Sequence, residues 1–256
     1  MPLLAVAALT KEFDGLTAVK DLSFQVEPGE VLGIIGPNGA GKTTLFNLIC
    51  GMLPPTAGSI RFRDRAIQGL RPHQIAALGI ARTFQLVRPF PNLTLAENVL
   101  VACGHRFYPT LRGSLGRARN GGTVAAADAL LDRVGLRGQR DSPARVLPLG
   151  LKKRLEIARA LALNPSLLLL DEPSGGIPHE ESRALIALIQ DLNRGGVTIL
   201  LIEHNMPVVM DACRRLLVLD HGEQIAEGDP AAVRADPKVI EAYLGREAPE
   251  NRSIVR

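Results

Sequence analysis

Aromatic residues are scarce in this chain of 256 residues, which has no tryptophan and only two tyrosines. Proteins that bind single-stranded nucleic acid stack the bases on aromatic side chains, and this chain has little material for such a surface. Its net charge of +4 is mild and its arginines are scattered, so charge permits contact with anionic lipid or nucleic acid without indicating either. Composition therefore does not favour a nucleic-acid-binding protein.

Cysteine is scarce as well. Cys50, Cys103 and Cys213 are an odd number of residues at wide spacings, which argues against a disulfide framework and against a zinc site. Thiols without such a pattern are typical of a protein in a reducing cytoplasm.

Long apolar runs are missing too, because no stretch approaches the roughly 20 apolar residues of a membrane span. The N-terminal run 3–9 is too short for the core of a signal peptide, and we interpret it as an edge strand or a first strand. With 46% hydrophobic and 22% charged residues, the composition is that of an ordinary globular protein. The length suits one main domain with at most a modest insertion.

The most informative stretch that is present reads GPNGAGKTT over residues 36–44. It has the spacing G-x-x-x-x-G-K-T between an apolar run (31–35) and an amphipathic run (45–49), which is the context of a phosphate-binding P-loop. Glycines let the backbone turn tightly and aim N–H groups at an anion, while the lysine reaches the outer phosphates and the first threonine ligates Mg²⁺. The loop alone does not read the base, so ATP is the default ligand. We predict that it is bound by Gly36, Asn38, Gly39, Gly41, Lys42, Thr43 and Thr44.

The chain before the P-loop predicts two or three strands. Residues 4–9 and 22–26 have strand composition around a turn at Asp14-Gly15, and residues 27–30 form a turn before the P-loop strand. Phe13 lies in this polar turn context. Two roles fit its ring equally: stacking on a nucleotide base and packing in the core.

Gln85 is predicted to end a strand at 79–85, which follows a short strand at 59–62 and a helical stretch at 72–78. A neutral amide coordinates Mg²⁺ or binds the attacking water without adding charge, so Gln85 is a candidate for both roles. The alternative is an ordinary polar residue at the end of a strand.

Helical periodicity dominates from residue 88 to about 162, in the segments 95–101, 124–134 and 151–163, and predicts an inserted helical subdomain. The segment 104–122 between the first two helices is rich in glycine and arginine, and its simplest interpretation is a solvated loop. The alternative is contact with membrane headgroups or a partner protein, through His105, Arg112, Arg117 and Arg119.

Two apolar runs farther along the chain each end abruptly in a polar pair. Four leucines (167–170) precede Asp171 and Glu172, and the run 197–202 precedes a pair that contains His204. Ligands gather at the carboxyl ends of parallel strands, so we expect these side chains near the phosphates. Asp171 would hold Mg²⁺, Glu172 would polarise the water that attacks the terminal phosphate, and His204 would bind that water or the phosphate. The alternatives are two acids that cap the next helix and a structural histidine.

Taken in order, these features resemble the ATP-binding subunit of an ABC transporter over nearly the whole chain: Phe13, the P-loop, Gln85, the helix 154–161, Asp171-Glu172-Pro173 and His204. The resemblance implies an α/β fold with a P-loop NTPase (RecA-like) core, 1–87 and 163–256. It also implies an N-terminal antiparallel β subdomain and an inserted helical subdomain, 88–162. The activity implied is hydrolysis of ATP with Mg²⁺, whose ligands would be Thr43, Gln85 and Asp171.

Within that family, several stretches look most like the subunits of branched-chain amino acid importers. These stretches are residues 15–20, 82–85, 92–94, 154–160, 202–206 and 239–245. Close relatives of those importers serve urea, amides and other small polar solutes. The family resemblance implies a head-to-tail dimer in which each nucleotide lies between one subunit's P-loop and the other subunit's signature loop. The implied partners are a second ATP-binding subunit, two permease subunits and, indirectly, a solute-binding protein, with no nucleic acid. The implied location is peripheral, on the cytoplasmic face of the inner or plasma membrane.

The chain departs from the family at the signature loop, where Leu-Ser-Gly-Gly-Gln or similar is replaced by LPLGL at 147–151. The Ser hydroxyl and the Gln amide are absent and Pro148 has no N–H, so the Gly150 amide is the remaining donor to the opposite nucleotide. Lys152 and Lys153 are candidates to compensate by charge. Pro178 also stands where an Asp is common. We therefore hypothesise a complete P-loop site and a degenerate signature motif that weakens the partner's site.

Two other functions remain open from the sequence. One is a soluble ABC-type ATPase that acts on nucleic acid or the ribosome, which would need a second ATPase half, a coiled-coil insertion or a basic stacking surface. The other is a nucleotide-dependent subunit with weak turnover, which the altered signature favours.

Overall fold

The computed structural model describes residues 1–104 and 121–244. The chain forms two compact units, Met1–Leu70 with the chain from residue 200 onward, and Arg71–Ile199. The predicted division into a core and a helical subdomain 88–162 stays a prediction. Most of the predicted solvated loop lies outside the described residues, including His105, Arg112, Arg117 and Arg119.

The elements alternate between strands and helices along most of the chain. The strands are β1 (Leu4–Phe13), β2 (Leu16–Val26), β3 (Val31–Ile35), β4 (Ala57–Phe62), β5 (Arg65–Ala66), β6 (Ile80–Arg82), β7 (Leu167–Asp171), β8 (Thr198–Ile202), β9 (Arg215–Asp220) and β10 (Glu223–Gly228). The helices are α1 (Lys42–Ile49), α2 (Pro72–Ala77), α3 (Leu95–Cys103), α4 (Gly121–Arg133), α5 (Leu149–Leu161), α6 (His179–Arg194), α7 (Met206–Ala212), α8 (Pro230–Ala235) and α9 (Pro237–Leu244).

The first unit contains a four-stranded antiparallel sheet in the order β2-β1-β4-β5. β1 and β2 form a hairpin whose turn residues, Asp14 and Gly15, both have positive φ, as a tight hairpin turn requires. The predicted N-terminal antiparallel β subdomain is thereby confirmed. Of the two interpretations of the N-terminal run, the first strand is confirmed, and the edge strand is wrong because β1 pairs with β4 as well as with β2.

β3 leads into the P-loop and is buried along its whole length, as its unbroken apolar sequence predicts. It pairs in parallel with β9, and β10 pairs antiparallel with β9. The parallel pairing brings the carboxyl ends of β3 and β9 to the same edge of the sheet. The P-loop therefore starts at that edge, and α1 follows it.

In the second unit, β6 pairs in parallel with β7, whose four leucines are fully buried. The predicted strand 79–85 is too long, because β6 ends at Arg82 and Gln85 lies in the following loop. The N–H of Thr83 still bonds the carbonyl of Leu169 at 2.9 Å. The N–H of Phe84 instead donates to the Glu156 carboxylate at 3.3 Å, so the chain leaves the sheet before it reaches Gln85.

The three predicted helices of this unit are confirmed as α3, α4 and α5, and they pack on one another. Their buried faces are apolar and include Leu95 and Val99 on α3, Leu131 on α4 and Leu155 on α5. Among the described helices of the chain, none is both long enough and apolar enough to cross a membrane. Cys50 and Cys213 are buried, and Cys103 is partly buried.

Asn98 on α3 is fully buried, and its amide group holds the loop that leads into the helix. Its Oδ1 accepts from the N–H of Phe90 at 2.8 Å, while its Nδ2 donates to the carbonyls of Phe90 (3.1 Å), Leu93 (3.2 Å) and Thr94 (2.9 Å). One buried side chain thus makes four partly buried contacts with the backbone, in which its two N–H hydrogens are shared among three carbonyls.

Replacing Asn98 by Leu is expected to lower the free energy of unfolding by about 3 kcal/mol or more, since each buried polar group left without a partner costs about 1–3 kcal/mol. Urea unfolding of the full chain measures this. Asn98→Asp keeps the acceptor and loses the donors, so its stability should fall between those of the wild type and Asn98→Leu. A loss below about 1 kcal/mol for Asn98→Leu would contradict the expectation.

Candidate functional site

The P-loop backbone has two positions that only glycine can occupy. Gly36 has a φ of +149° and Gly41 a φ of +100°. A Cβ at Gly36 would lie 2.1 Å from the carbonyl oxygen of Leu219 in β9, and one at Gly41 would lie 2.3 Å from that of Ala18 in β2. Neighbouring backbone therefore packs directly against the loop and shapes it into a cradle.

Lys42, the first residue of α1, is 7% exposed and folds back over the loop. Its Nζ donates to the carbonyls of Gly36 at 2.6 Å and Pro37 at 2.8 Å, so the ammonium group lies at the positive end of the helix. Thr43 in the same turn is exposed, which makes its hydroxyl oxygen accessible to a hard cation such as Mg²⁺. This donor set fits a nucleotide phosphate with its metal ion.

Two segments to which we assigned no role from the sequence support the P-loop. The turn between β9 and β10 donates from the N–H of Gly222 to the carbonyl of Ala40 at 3.1 Å. On α9, burial raises the pKa of Tyr243, whose hydroxyl oxygen lies near the backbone N–H of Gly36 without the geometry of a full hydrogen bond. The C-terminal helix therefore contacts the first glycine of the loop.

Phe13 ends β1 and is 39% exposed, with Nζ of Lys11 4.8 Å from the ring centre. A ring with this exposure is not part of the core, so that alternative is wrong. Stacking on a nucleotide base stays a prediction.

His204 follows β8 and is exposed, whereas its neighbour Glu203 is fully buried. Burial, together with the charge of Glu203, raises the pKa of the Cys213 thiol to about 12, so this cysteine stays a neutral thiol. The polar pair that ends β8 is therefore split, with one side chain inside the first unit and the other at its surface. The role of His204 stays a prediction.

In the second unit, Asp171 ends β7, and its carboxylate pairs with an arginine that we did not select from the sequence. Nη2 of Arg82 donates to Oδ2 of Asp171 at 2.7 Å, and both side chains are almost fully buried. The Thr83 hydroxyl accepts from the Asp171 N–H at 3.4 Å. These contacts fix the orientation of a carboxylate that we predict to hold Mg²⁺.

Glu172 adopts a left-handed backbone conformation, with a φ of +47°. Such a conformation is strained for a residue with a side chain, and strain of this kind clusters at functional sites. Nε2 of Gln85 donates to Oε2 of Glu172 at 2.9 Å, and Nζ of Lys153 donates to the Glu172 carbonyl at 2.8 Å. The structure therefore brings together two predicted catalytic residues, Gln85 and Glu172.

The signature loop begins α5, with Pro148 as the residue before the helix. Gly150 is buried against α6, and a Cβ added at this glycine would lie 1.8 Å from Oε2 of Glu181. The prediction that Lys153 adds charge at the start of α5 is wrong. It is 6% exposed, because its ammonium group is turned inward to the Glu172 carbonyl.

Glu156 on α5 carries a shifted pKa. Burial raises it to about 7, although the N–H of Phe84 and the charges of Arg159 and Lys153 lower it in part. The folded protein therefore binds this proton more tightly than the unfolded chain does. The stability that protonation contributes is full below the ordinary pKa of 4.5 and is lost as the pH rises to about 7.

We expect Glu156→Gln, which cannot ionise, to be more stable than the wild type at pH 8. The gain in the free energy of unfolding should grow between about pH 4.5 and pH 7, stay constant above that, and reach at most about 3 kcal/mol. Urea unfolding at several pH values measures the difference. A difference that does not change with pH would contradict the expectation.

The α/β fold and a P-loop with a lysine turned over its cradle define a nucleotide-binding ATPase. Residues 19–175 match the ABC transporter family, and residues 223–249 match the family described as branched-chain amino acid ATP-binding cassette transporter. The chain belongs to the ABC transporter family, as an ATP-binding subunit. ATP-binding proteins of this family are ATPases that power transport, and this chain is such an ATPase.

Two relatives share the same percentage of sequence identity with this chain. The high-affinity branched-chain amino acid transport ATP-binding protein LivG of Escherichia coli (strain K12) is 42% identical over 250 residues, 95% of this chain and 98% of LivG. BraF of Pseudomonas aeruginosa, described in the same words, is 42% identical over 251 residues, 95% of this chain and 98% of BraF. A solved structure, the ADP conformation of MJ1267, an ATP-binding cassette of an ABC transporter, is similar with a TM-score of 0.87 and 32% identity, covering 96% of this chain and 100% of that one. The predicted fold class is confirmed.

Proposed function

We infer that this chain hydrolyses ATP to power the import of branched-chain amino acids, or of related amino acids and small amides. The observation that carries this proposal is the match of the C-terminal residues 223–249 to the branched-chain amino acid transporter family. The names of LivG and BraF support the same solute class. The solute is chosen by other subunits, so the ATPase activity does not depend on this assignment.

The P-loop residues Gly36, Asn38, Gly39, Gly41, Lys42, Thr43 and Thr44 bind the phosphates of ATP, and Phe13 stacks on the base. Glu172 takes a proton from the attacking water, Gln85 orients that water, and His204 contacts the terminal phosphate. Thr43, Gln85 and Asp171 would hold Mg²⁺, which would supply positive charge that offsets the charge of the phosphates. The N–H of Gly150 donates to the nucleotide of the partner subunit.

The partners are a second ATP-binding subunit, two permease subunits and, indirectly, a solute-binding protein. The subunit lies peripherally on the cytoplasmic face of the inner or plasma membrane, as its family membership implies. The helical subdomain 88–162 and the Gln85 loop pass the change between ATP-bound and ADP-bound states to the permeases.

The signature of this chain is the weaker half of the composite site. Pro148 supplies no N–H, and the carboxylate of Glu181 lies against Gly150, where it repels a phosphate. Gly150 and Glu181 line a groove of about 400 Å³, which is also lined by a second acid, Glu180, and by a positively charged residue, Arg154. A partner with a complete signature would therefore give a transporter with one strong and one weak ATP site.

Purification of this chain with its membrane partners and reconstitution into liposomes tests the proposal. We expect ATP-dependent uptake of radiolabelled leucine in the presence of the solute-binding protein. ATP hydrolysis without uptake of leucine, other amino acids or amides would overturn the solute class. Recovery of ribosomes or nucleic acid in place of membrane proteins would favour a soluble ATPase instead.

A further inference from the structure

Three charged side chains on α5 bond to the backbone of the segments that carry Gln85 and Glu172. They are Lys153, Glu156 and Arg159, here called the α5 clamp. Their spacing of three residues places them along one side of the helix. All three belong to the second unit, together with the segments that they bond.

Each member of the α5 clamp contacts a different backbone group. Nζ of Lys153 donates to the Glu172 carbonyl at 2.8 Å, in the turn after β7. Oε1 of Glu156 accepts from the N–H of Phe84 at 3.3 Å, and Nη1 of Arg159 donates to the carbonyl of Arg88 at 3.0 Å. The last two contacts lie on either side of Gln85, so the loop that carries it is held at both ends.

The clamped segments meet at the proposed catalytic pair, where Nε2 of Gln85 donates to Oε2 of Glu172 at 2.9 Å. The clamp thus fixes the backbone beneath both partners of this hydrogen bond. The Arg159 guanidinium also lies over the ring of Phe90, 5.1 Å from its centre, and the Asn98 amide fixes the backbone of Phe90. The loop is therefore anchored beyond Arg88 as well.

Lys153 is buried, and Glu156 and Arg159 are partly buried. Removing charged side chains from water is costly, and a helix that only packed against its neighbours would carry apolar residues there. The cost here is reduced because the charges lie together, with Lys153 and Arg159 acting on Glu156. Each of the three side chains bonds a backbone group of a neighbouring segment, which side-chain packing alone does not require. The arrangement suits a device that sets the position of a loop.

We propose that the α5 clamp positions Gln85 against Glu172 and that Lys153, Glu156 and Arg159 are positioning residues for ATP hydrolysis. The inference rests on the proposed function, which assigns catalysis to Gln85 and Glu172. It adds that the helix which begins with the signature loop also holds the catalytic pair of its own subunit.

Glu156→Leu tests the proposal, because leucine keeps the size and removes the acceptor. In the purified transporter, ATP turnover (kcat) should fall about tenfold while KM for ATP stays within about threefold, since the P-loop is untouched. Hydrogen exchange of the Phe84 amide should be at least about tenfold faster. Glu156→Gln keeps the acceptor oxygen and should restore both turnover and protection to within about threefold of the wild type.

Asn193→Leu is the control, since Asn193 lies on α6 in the same unit and its Nδ2 donates to the carbonyl of Val197 at 3.0 Å, away from both segments. It should change neither kcat nor exchange at residues 84–88. Equal effects of Asn193→Leu and Glu156→Leu, or unchanged exchange at Phe84, would overturn the proposal. If Glu172→Gln retains full turnover, the catalytic assignment fails, whereas exchange at Phe84 still tests the clamp.

Discussion

Glu172→Gln is expected to lower ATP turnover of the assembled transporter by at least about 10²-fold, because a general base contributes about 10²–10⁴-fold to such a reaction. Glutamine keeps the shape of the side chain and can still pair with Gln85, so nucleotide binding should stay within about threefold. Phosphate release and titration with ADP measure the two quantities. Asp132→Asn, a change at an exposed acid on α4, is the control and should affect neither.

The same change distinguishes the two composite ATP sites of the proposed dimer. There, the partner's signature would serve the P-loop of this chain, while the altered signature of this chain would serve the partner. Glu172→Gln should therefore lower ATP turnover about tenfold more than the equivalent change in the partner does. A factor of about ten corresponds to the one or two hydrogen bonds that the altered signature fails to make. Equal losses from the two changes would contradict the asymmetry.

Lys42→Ala is expected to weaken the binding of ATP and ADP by about 10²-fold. The Lys42 ammonium group lies over the phosphate cradle, bonded at 2.6 and 2.8 Å to carbonyls of the loop itself. Its charge-assisted contact with a phosphate is worth about 1.5–3 kcal/mol, and removal of the charge also leaves those carbonyls without their donor. Calorimetric titration of the full chain with each nucleotide measures the loss.

Lys238→Ala, at an exposed lysine on α9, should leave affinity unchanged. Lys42→Arg keeps the charge and reports whether position matters as well as charge, since a planar guanidinium does not fit the same two carbonyls. An affinity for ATP that is unchanged in Lys42→Ala would contradict the role given to the P-loop.

Local pattern predicted most of the elements correctly. The four leucines 167–170 form a buried strand, and the segments 95–101, 124–134 and 151–163, which have helical spacing, form helices. The spacing of apolar residues along the chain indicates whether one face or both faces of an element are buried. The strand 79–85 was wrong at its end. Its last residues have strand composition, but the N–H of Phe84 donates to the carboxylate of Glu156 on α5. No local sequence pattern indicates this contact.

The partners of Asp171 and Glu172 could not be predicted in the same way. Arg82 reaches Asp171 only because β6 lies beside β7 in parallel register, and Lys153 reaches Glu172 only because α5 packs beside the turn after β7. From the sequence, Lys153 is predicted to add a positive charge at the start of a helix, whereas packing turns its side chain inward. Glu203 and His204 are neighbours in the chain, yet one is fully buried and the other is exposed.

The sequence by itself determined the class of the protein, since the P-loop spacing, the apolar runs that end in polar residues and their order are all local features. Only the tertiary structure decided which charged groups touch which backbone. The cradle glycines are fixed by the carbonyls of Leu219 and Ala18, and the Gln85 loop is held by two side chains about seventy residues farther along the chain, Glu156 and Arg159. Contacts of that kind depend on how elements pack, and the free energy of packing is shared among residues that no short pattern contains.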